Sequence, residues 1–287
     1  MVLQNSGLAK QWIFSFLKIA AFTVLFGRAY HHFFFDIPLS SLLWDQSLMS
    51  GLVNSILGIS WEEFSTSSLA EDILVYPRYA FFILYAATFI FLFKKENRKQ
   101  AGDILLLLSS FGLIFLAFLY YKDHFTYTGQ FIEYSLQFGS PLFLYLFSRN
   151  IVSEKRLVLL MKIAVSLAFV GHGLYAFGFY PVPVKFIEMT CSILPMDESV
   201  AKIFLRTAGV LDFLVAIGIY WRKIERPLLA YAAIWGLFTA LARITAYFNP
   251  ELALASIHQW WFESLLRMPH MLIPLLLFVL AGSREKK

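Results

Sequence analysis

The stretch KIAAFTVLFGRAYHHFFFDIP, Lys18 to Pro38, returns 144 positions later as KIAVSLAFVGHGLYAFGFYP, Lys162 to Pro181. Gly27 falls on Gly171 and Arg28 on His172, and each copy is a long apolar run with a polar cluster in its second half. The echo continues outward. Arg78 and Ala80 match Arg206 and Ala208 at an offset near 128, followed by the basic clusters Lys94-Lys95-Asn97-Arg98 and Arg222-Lys223-Glu225-Arg226. Gly112 then lands on Gly236 and Glu133 on Glu263. Sparse identities in chain order, with offsets that drift slowly, are the pattern of an old tandem duplication whose loops changed length. The echo predicts two units, residues 1–150 and 151–287.

Composition fixes the solvent. Of 287 residues 59% are hydrophobic, only 15% are charged and 31 are Phe, with a mean hydropathy of +0.66, which excludes an ordinary soluble domain. A helix needs about 20 mostly apolar residues to cross roughly 30 Å of hydrocarbon. Eight segments qualify on reading: Trp12 to Phe35, Ile73 to Phe93, Ile104 to Tyr121, Gln130 to Phe147, Leu157 to Tyr180, Val200 to Trp221, Pro227 to Phe248 and Trp261 to Ala281. A membrane barrel would instead show alternating segments near ten residues long. The predicted fold is an all-α polytopic membrane protein of eight transmembrane helices, arranged as two parallel four-helix repeats with short interfacial helices in the outer loops.

Lys and Arg set the orientation. Lys94, Lys95, Arg98 and Lys99 follow the second helix, Arg149, Lys155 and Arg156 the fourth, Arg222, Lys223 and Arg226 the sixth, with Arg284, Lys286 and Lys287 at the end. The positive-inside rule places these on the cytoplasmic side of the cytoplasmic membrane, both termini included. The opposite loops collect acid: Asp36, Asp45, Glu62, Glu63, Glu71 and Asp72, then Asp197 and Glu198. Four helices per unit, an even number, make the repeat parallel. The net charge of +5 comes from the cytoplasmic loops and calls for no nucleic-acid partner. No cleavable signal is expected, since the first apolar run is too long and lacks a small-residue cleavage site. Cys191 is the sole cysteine, which excludes a disulfide framework within the monomer. In the long outer connection, Leu42-Leu43, Leu48-Met49, Leu52-Val53 and Ile56-Leu57 recur near helical period and predict a surface helix, with a shorter counterpart over Val184 to Leu194. Pro141 in the fourth helix and Pro269 and Pro274 in the eighth are expected to interrupt the backbone ladder.

The chemistry gathers in one leaflet. His31, His32, His124, His172, His258 and His270 all fall on the outer side, with Arg28, Arg78, Arg206, Arg243 and Arg267 at similar depth. Asp212 is expected about two turns inside the sixth helix, with Glu133 and Glu263 at the mouths of the fourth and eighth. Ionisable groups in a bilayer are costly and face a bundle interior, so an outward-opening polar pocket follows. The second unit carries more of this charge. His172, Asp212 and Arg243 are the predicted working residues, with Arg28, His31 and His32 reaching in from the first unit. Asp212 and Arg243, on consecutive antiparallel helices, are expected to pair. His31 and His32 are about 100° apart on a helix, so at most one points into the pocket. Glu263, Arg267 and His270 share a helical face at i, i+4 and i+7. Arg78, Arg206, Glu263, Arg267 and His270 complete the predicted ligand-binding set. Trp260, Trp261, Tyr120 and Tyr121 read as interface-belt residues. For His172 a purely structural hydrogen bond between helices stays open beside the site reading.

The run from His172 in GHGLYAFGFYP, through an interfacial segment, to Gly209 and Asp212 in AGVLDFLVAIG, then a basic turn and two more helices, resembles the DoxX-like membrane proteins. The resemblance covers Leu157 to Ala281. The first unit departs from it, with Arg28 in place of the histidine and Leu84 where the acid would stand. It implies a four-helix bundle and an association with redox enzymes, one member being a small subunit of a thiosulfate-to-quinone oxidoreductase. The expected function is then a redox-associated subunit of a quinone-linked oxidoreductase, whose outer pocket binds a quinone or another lipid-like small molecule, with a redox protein as partner. His172 and Asp212 would handle protons there. One alternative is a haem or metal protein using His172 with His31 or His32, although no HxxxH pair is present and no metal-ligand set is assigned. Another is a small-molecule transporter, against which stands the absence of charge expected in the inner half. A nucleophilic hydrolase is set aside because no Ser or Cys stands in a recognisable elbow.

Overall fold

The computed structural model describes residues 7–94 and 99–285. Lys95, Asn97, Arg98, Lys286 and Lys287 lie outside the described residues, as do the side chains of Lys99 and Arg284. Among the described residues there is no strand. The chain opens with α1 (Gly7–Phe34), passes through α2 (Ser40–Leu43), α3 (Gln46–Leu57) and α4 (Trp61–Ser65), and continues as α5 (Ser68–Phe91), α6 (Lys99–Asp123), α7 (Thr128–Glu133) and α8 (Ser135–Ser148). Then come α9 (Glu154–Phe177), α10 (Val184–Ile193), α11 (Glu198–Gly218), α12 (Glu225–Ala246), α13 (Ala253–Arg267) and α14 (Pro269–Glu285). Serine and aspartate begin several of these by satisfying free N–H groups. Ser67 accepts from Ala70 N, Ser153 from Arg156 N and Asp197 from Val200 N. The end of α9 is set by Gly178, whose φ of 92° suits glycine.

Among the described residues six helical stretches are long and apolar enough to cross a membrane: Lys10–Phe34, Ser68–Phe91, Gln100–Asp123, Glu154–Phe177, Glu225–Ala246 and Pro250–Ser283. The other two expected spans differ for separate reasons. The fourth is broken at Tyr134 into α7 and α8 of 6 and 14 residues. The sixth, α11, carries Lys202, Arg206 and Asp212 within its 21 residues. Pro141 and Pro274 stay inside helices, so the break in the fourth expected span falls ahead of its proline. The surface helix expected in the first long connection is α3, and its shorter counterpart is α10.

Packing follows the same element order twice. The helix α1 packs on α5 as α9 does on α11, and α6 packs on α8 as α12 does on α14. Each broken helix also packs against the other half of the chain, α7 onto α9 and α13 onto α1. One core joins them, with Leu17, Ala21, Val24 and Leu25 of α1, Met161, Val165 and Ala168 of α9, and Ile273, Leu276 and Leu277 of α14. Asp45 ties α3 to the end of α6. Its carboxylate takes hydrogen bonds from Lys122 Nζ at 2.5 Å and Leu48 N at 3.3 Å. The Lys122 bond, with Ser47 next, holds the Asp45 carboxyl down at about 2.

The crossings between units rest on glycine. A Cβ on Gly171 would stand 2.6 Å from Gly129 O and 2.8 Å from Glu133 N of α7, so α9 and α7 meet backbone to backbone. At the corresponding Gly27 of α1, a Cβ would meet α13 at 3.1 Å from Leu266 Cδ2 and 3.2 Å from Phe262 O. Alanine gains up to about 1 kcal/mol over glycine inside a helix. Overpacking at a backbone contact costs about 1–3 kcal/mol. Gly27→Ala is therefore expected to be near neutral and Gly171→Ala to lower the melting temperature in detergent. Equal effects from the two substitutions would mean that the α7–α9 crossing is looser than described.

Candidate functional site

Lys162, Ile219 and Glu225 give a common level for three helices. Lys162 Nζ donates to Ile219 O at 2.7 Å and pairs with Glu225 Oε1 at 2.9 Å, both side chains buried. From that level His172 is ten residues along α9, about 15 Å, and Asp212 is seven along α11, about 10 Å. Those two meet, His172 Nδ1 lying 2.6 Å from Asp212 Oδ2. Arg243 is eighteen residues along α12, about 27 Å from the same level, and cannot reach Asp212. The expected Asp212–Arg243 pair is thus replaced by two others, His172–Asp212 and Arg243–Glu263. The buried Lys162–Glu225 pair likewise corrects the expectation of an uncharged inner half.

Two cavities lie at the end of the bundle away from Lys162. The larger, about 320 Å³, is bounded by both units. The first contributes Arg28 and His31 of α1, Tyr120 and His124 near the end of α6, and Gln130, Glu133, Tyr134 and Gln137 along α7 and α8. The second contributes Tyr175 of α9, Pro183, Lys185 and Phe186 at the start of α10, Arg243 of α12, and Phe262, Glu263, Leu266 and Arg267 of α13. The smaller cavity lies among Phe169, His172, Asp212, Trp235, Thr239, Arg267 and His270. Arg267 is the residue common to both walls, and it pairs with Glu133 across the two units at 3.1 Å.

Arg28 is 1% exposed. Its Nη2 donates to Gln137 Oε1 at 2.6 Å, and its guanidinium stands 5.3 Å from the Tyr134 ring centroid and 5.7 Å from that of Tyr120. Its Nε has no hydrogen-bond partner, and no carboxylate among the described residues pairs with it. Tyr120 therefore belongs to the cavity wall and not to an interface belt. His31 faces the cavity, whereas His32 is fully buried behind it with Nδ1 2.8 Å from Arg28 O.

Other predicted site residues go elsewhere. Arg78, near the middle of α5, turns to Asp36 and Tyr79 and lines neither cavity. Arg206 is exposed on the same outward face of α11 as Ile203 and Val210. The face shared by Glu263, Arg267 and His270 is divided, because the helix breaks at Met268 before Pro269. Glu263 lines the large cavity, His270 the small one and Arg267 both. Gln137 and Tyr134 escaped the sequence reading. The offset of 130 that sets Glu133 on Glu263 also sets Gln137 on Arg267, and that was the available signal.

Among the described residues no group of three His, Cys, Asp or Glu side chains stands ready for a metal ion. His172 Nδ1 is turned to Asp212, and His172 shares neither cavity with His31 or His32. The large cavity brings the unpartnered Arg28 Nε and the tyrosines together with the apolar Phe262 and Leu266 in one wall. Comparison with protein-family models, curated proteins and solved structures finds no match to this chain.

Proposed function

We propose that this is an eight-span membrane protein of two parallel four-helix units, DoxX-like in the second, that binds a lipid-like small molecule in the cavity between them. In this reading the Lys162 end faces the cytoplasm and the cavity opens from the outer half of the cytoplasmic membrane. The ligand is a quinone or a comparable amphiphile, and the protein is a subunit of a redox assembly. The reading rests on one observation above the others, a cavity between the units that carries a buried arginine without a counter-ion. The repeated packing order and the glycines at both crossings support the two-unit reading. A quinone would supply carriage of two electrons and two protons. The chain's part is to hold the head oxygens with Arg28 and Arg243 and to keep His172 and Asp212 as a buried proton-holding pair one residue, Arg267, away from the cavity.

The test is the small-molecule content and visible spectrum of protein purified in mild detergent. A co-purifying or saturably binding amphiphile is expected. A Soret band, or the absence of any bound or bindable amphiphile, would overturn the reading.

A further inference from the structure

We infer that the head of the cavity's ligand is an anion, a carboxylate or phosphate, and that Arg28 is its counter-ion. This rests on the proposed use of the cavity as a ligand site, but not on the ligand being a quinone. Four cations line the cavity, Arg28, Lys185, Arg243 and Arg267, against two carboxylates, Glu133 and Glu263. Both carboxylates are already engaged, Glu133 by Arg267 and Glu263 by Arg243. Arg28 and Lys185 are left over. Arg28 is buried among neutral partners, Gln137 and two tyrosine rings, with Nε unbonded. A buried cation is costly unless an opposite charge meets it. Nothing in the described chain does so, which leaves the cavity as the side from which a counter-ion can come.

Two further features point the same way. The first turn of α10 lines the cavity through Lys185 and Phe186, and no side chain caps that helix. Phe186 N is already bonded to Pro183 O, and the positive end of the helix dipole favours negative charge at that spot. Lys185 itself lies exposed over the Trp260 ring at 5.4 Å, with no carboxylate pairing among the described residues. At about 320 Å³ the cavity is at the small end of ligand pockets, with room for an acidic head and a short body.

The whole chain in lipid nanodiscs tests this. In phosphatidylcholine discs, inorganic phosphate and octanoate are titrated against the melting temperature, with a neutral short-tailed quinone analogue in parallel. A second set of discs contains phosphatidylglycerol. Saturable stabilisation by phosphate or octanoate marks a free anion, and stabilisation only by phosphatidylglycerol marks a lipid headgroup; either supports the inference. Arg28→Gln should weaken anion binding about 10- to 100-fold, Arg28→Lys should restore part of it, and Lys185→Gln should weaken it less. Without ligand, Arg28→Gln should melt no lower than the parent, because it removes an uncompensated charge. Binding of the neutral quinone alone, unchanged in Arg28→Gln, would overturn the anionic head and leave the ligand site standing. No binding of any probe, with no co-purifying molecule, would remove the site itself. If Arg28→Gln misfolds while Arg28→Lys and Lys185→Gln bind anions like the parent, Arg28 is structural and the inference fails.

Discussion

Replacing His172 by alanine is expected to destabilise the protein by about 3–5 kcal/mol, the cost of leaving a buried charge without its partner. Asp212 is 0% exposed, its Oδ1 has no hydrogen-bond partner, and its Oδ2 relies on His172 Nδ1 at 2.6 Å. With the imidazole gone, neither oxygen has a donor. The double variant His172→Leu/Asp212→Leu should be far closer to the parent, since no charge is orphaned and Ala168, Phe169 and Trp235 offer apolar contacts beside it. The measurement is a double-mutant cycle on unfolding in detergent. Hydrogen bonds between membrane helices average about 0.6 kcal/mol and reach about 1.7 in such cycles. A coupling in that lower range would mean a neutral hydrogen bond and not an ion pair. Ligand binding separates structure from function here. If the double variant folds and still binds and turns over like the parent, the dyad only holds α9 to α11.

Removing the Arg267 charge is expected to act on both stability and binding. Arg267→Met leaves Glu133, 7% exposed, without its ion pair and opens the junction between the two cavities. A loss of about 3–5 kcal/mol follows from the orphaned carboxylate. Glu133→Gln/Arg267→Met should recover most of it, because neither charge remains. Anion or amphiphile binding should stay lost in the double variant, since Arg267 is part of the cavity wall. Binding that returns with stability would show that Arg267 matters to the fold alone. The contrast with His172 is informative, because only Arg267 borders both cavities.

Much of the architecture was legible in the chain. The apolar runs within Lys18–Pro38 and Lys162–Pro181 are legible as helices, and they lie in α1 and α9. The clustering of Arg28, His31, Glu133, Arg243, Glu263 and Arg267 at one end was legible too, because helical rise converts sequence position into depth. That conversion failed where the reference level was wrong. A depth of about two turns would set Asp212 at the level of Arg243, whereas the Lys162–Ile219–Glu225 contacts put the two about 17 Å apart. Tyr120 was misplaced for another reason. An aromatic near a helix end has the same signature at a lipid interface as in a polar cavity, and only packing separates them.

By itself, then, the sequence determined the helical class, the long apolar helices and the end of the bundle where charge collects. These depend on composition, period and length, which are properties of the chain taken segment by segment. Only the tertiary structure decided that His172 faces Asp212, that Glu133 reaches Arg267 in the other unit, and that Arg28 is left with Gln137 and two tyrosines. The physical reason is that partners are chosen by helix rotation and relative depth. Both are set by close contacts such as Gly171 against Gly129 O, which no single segment contains.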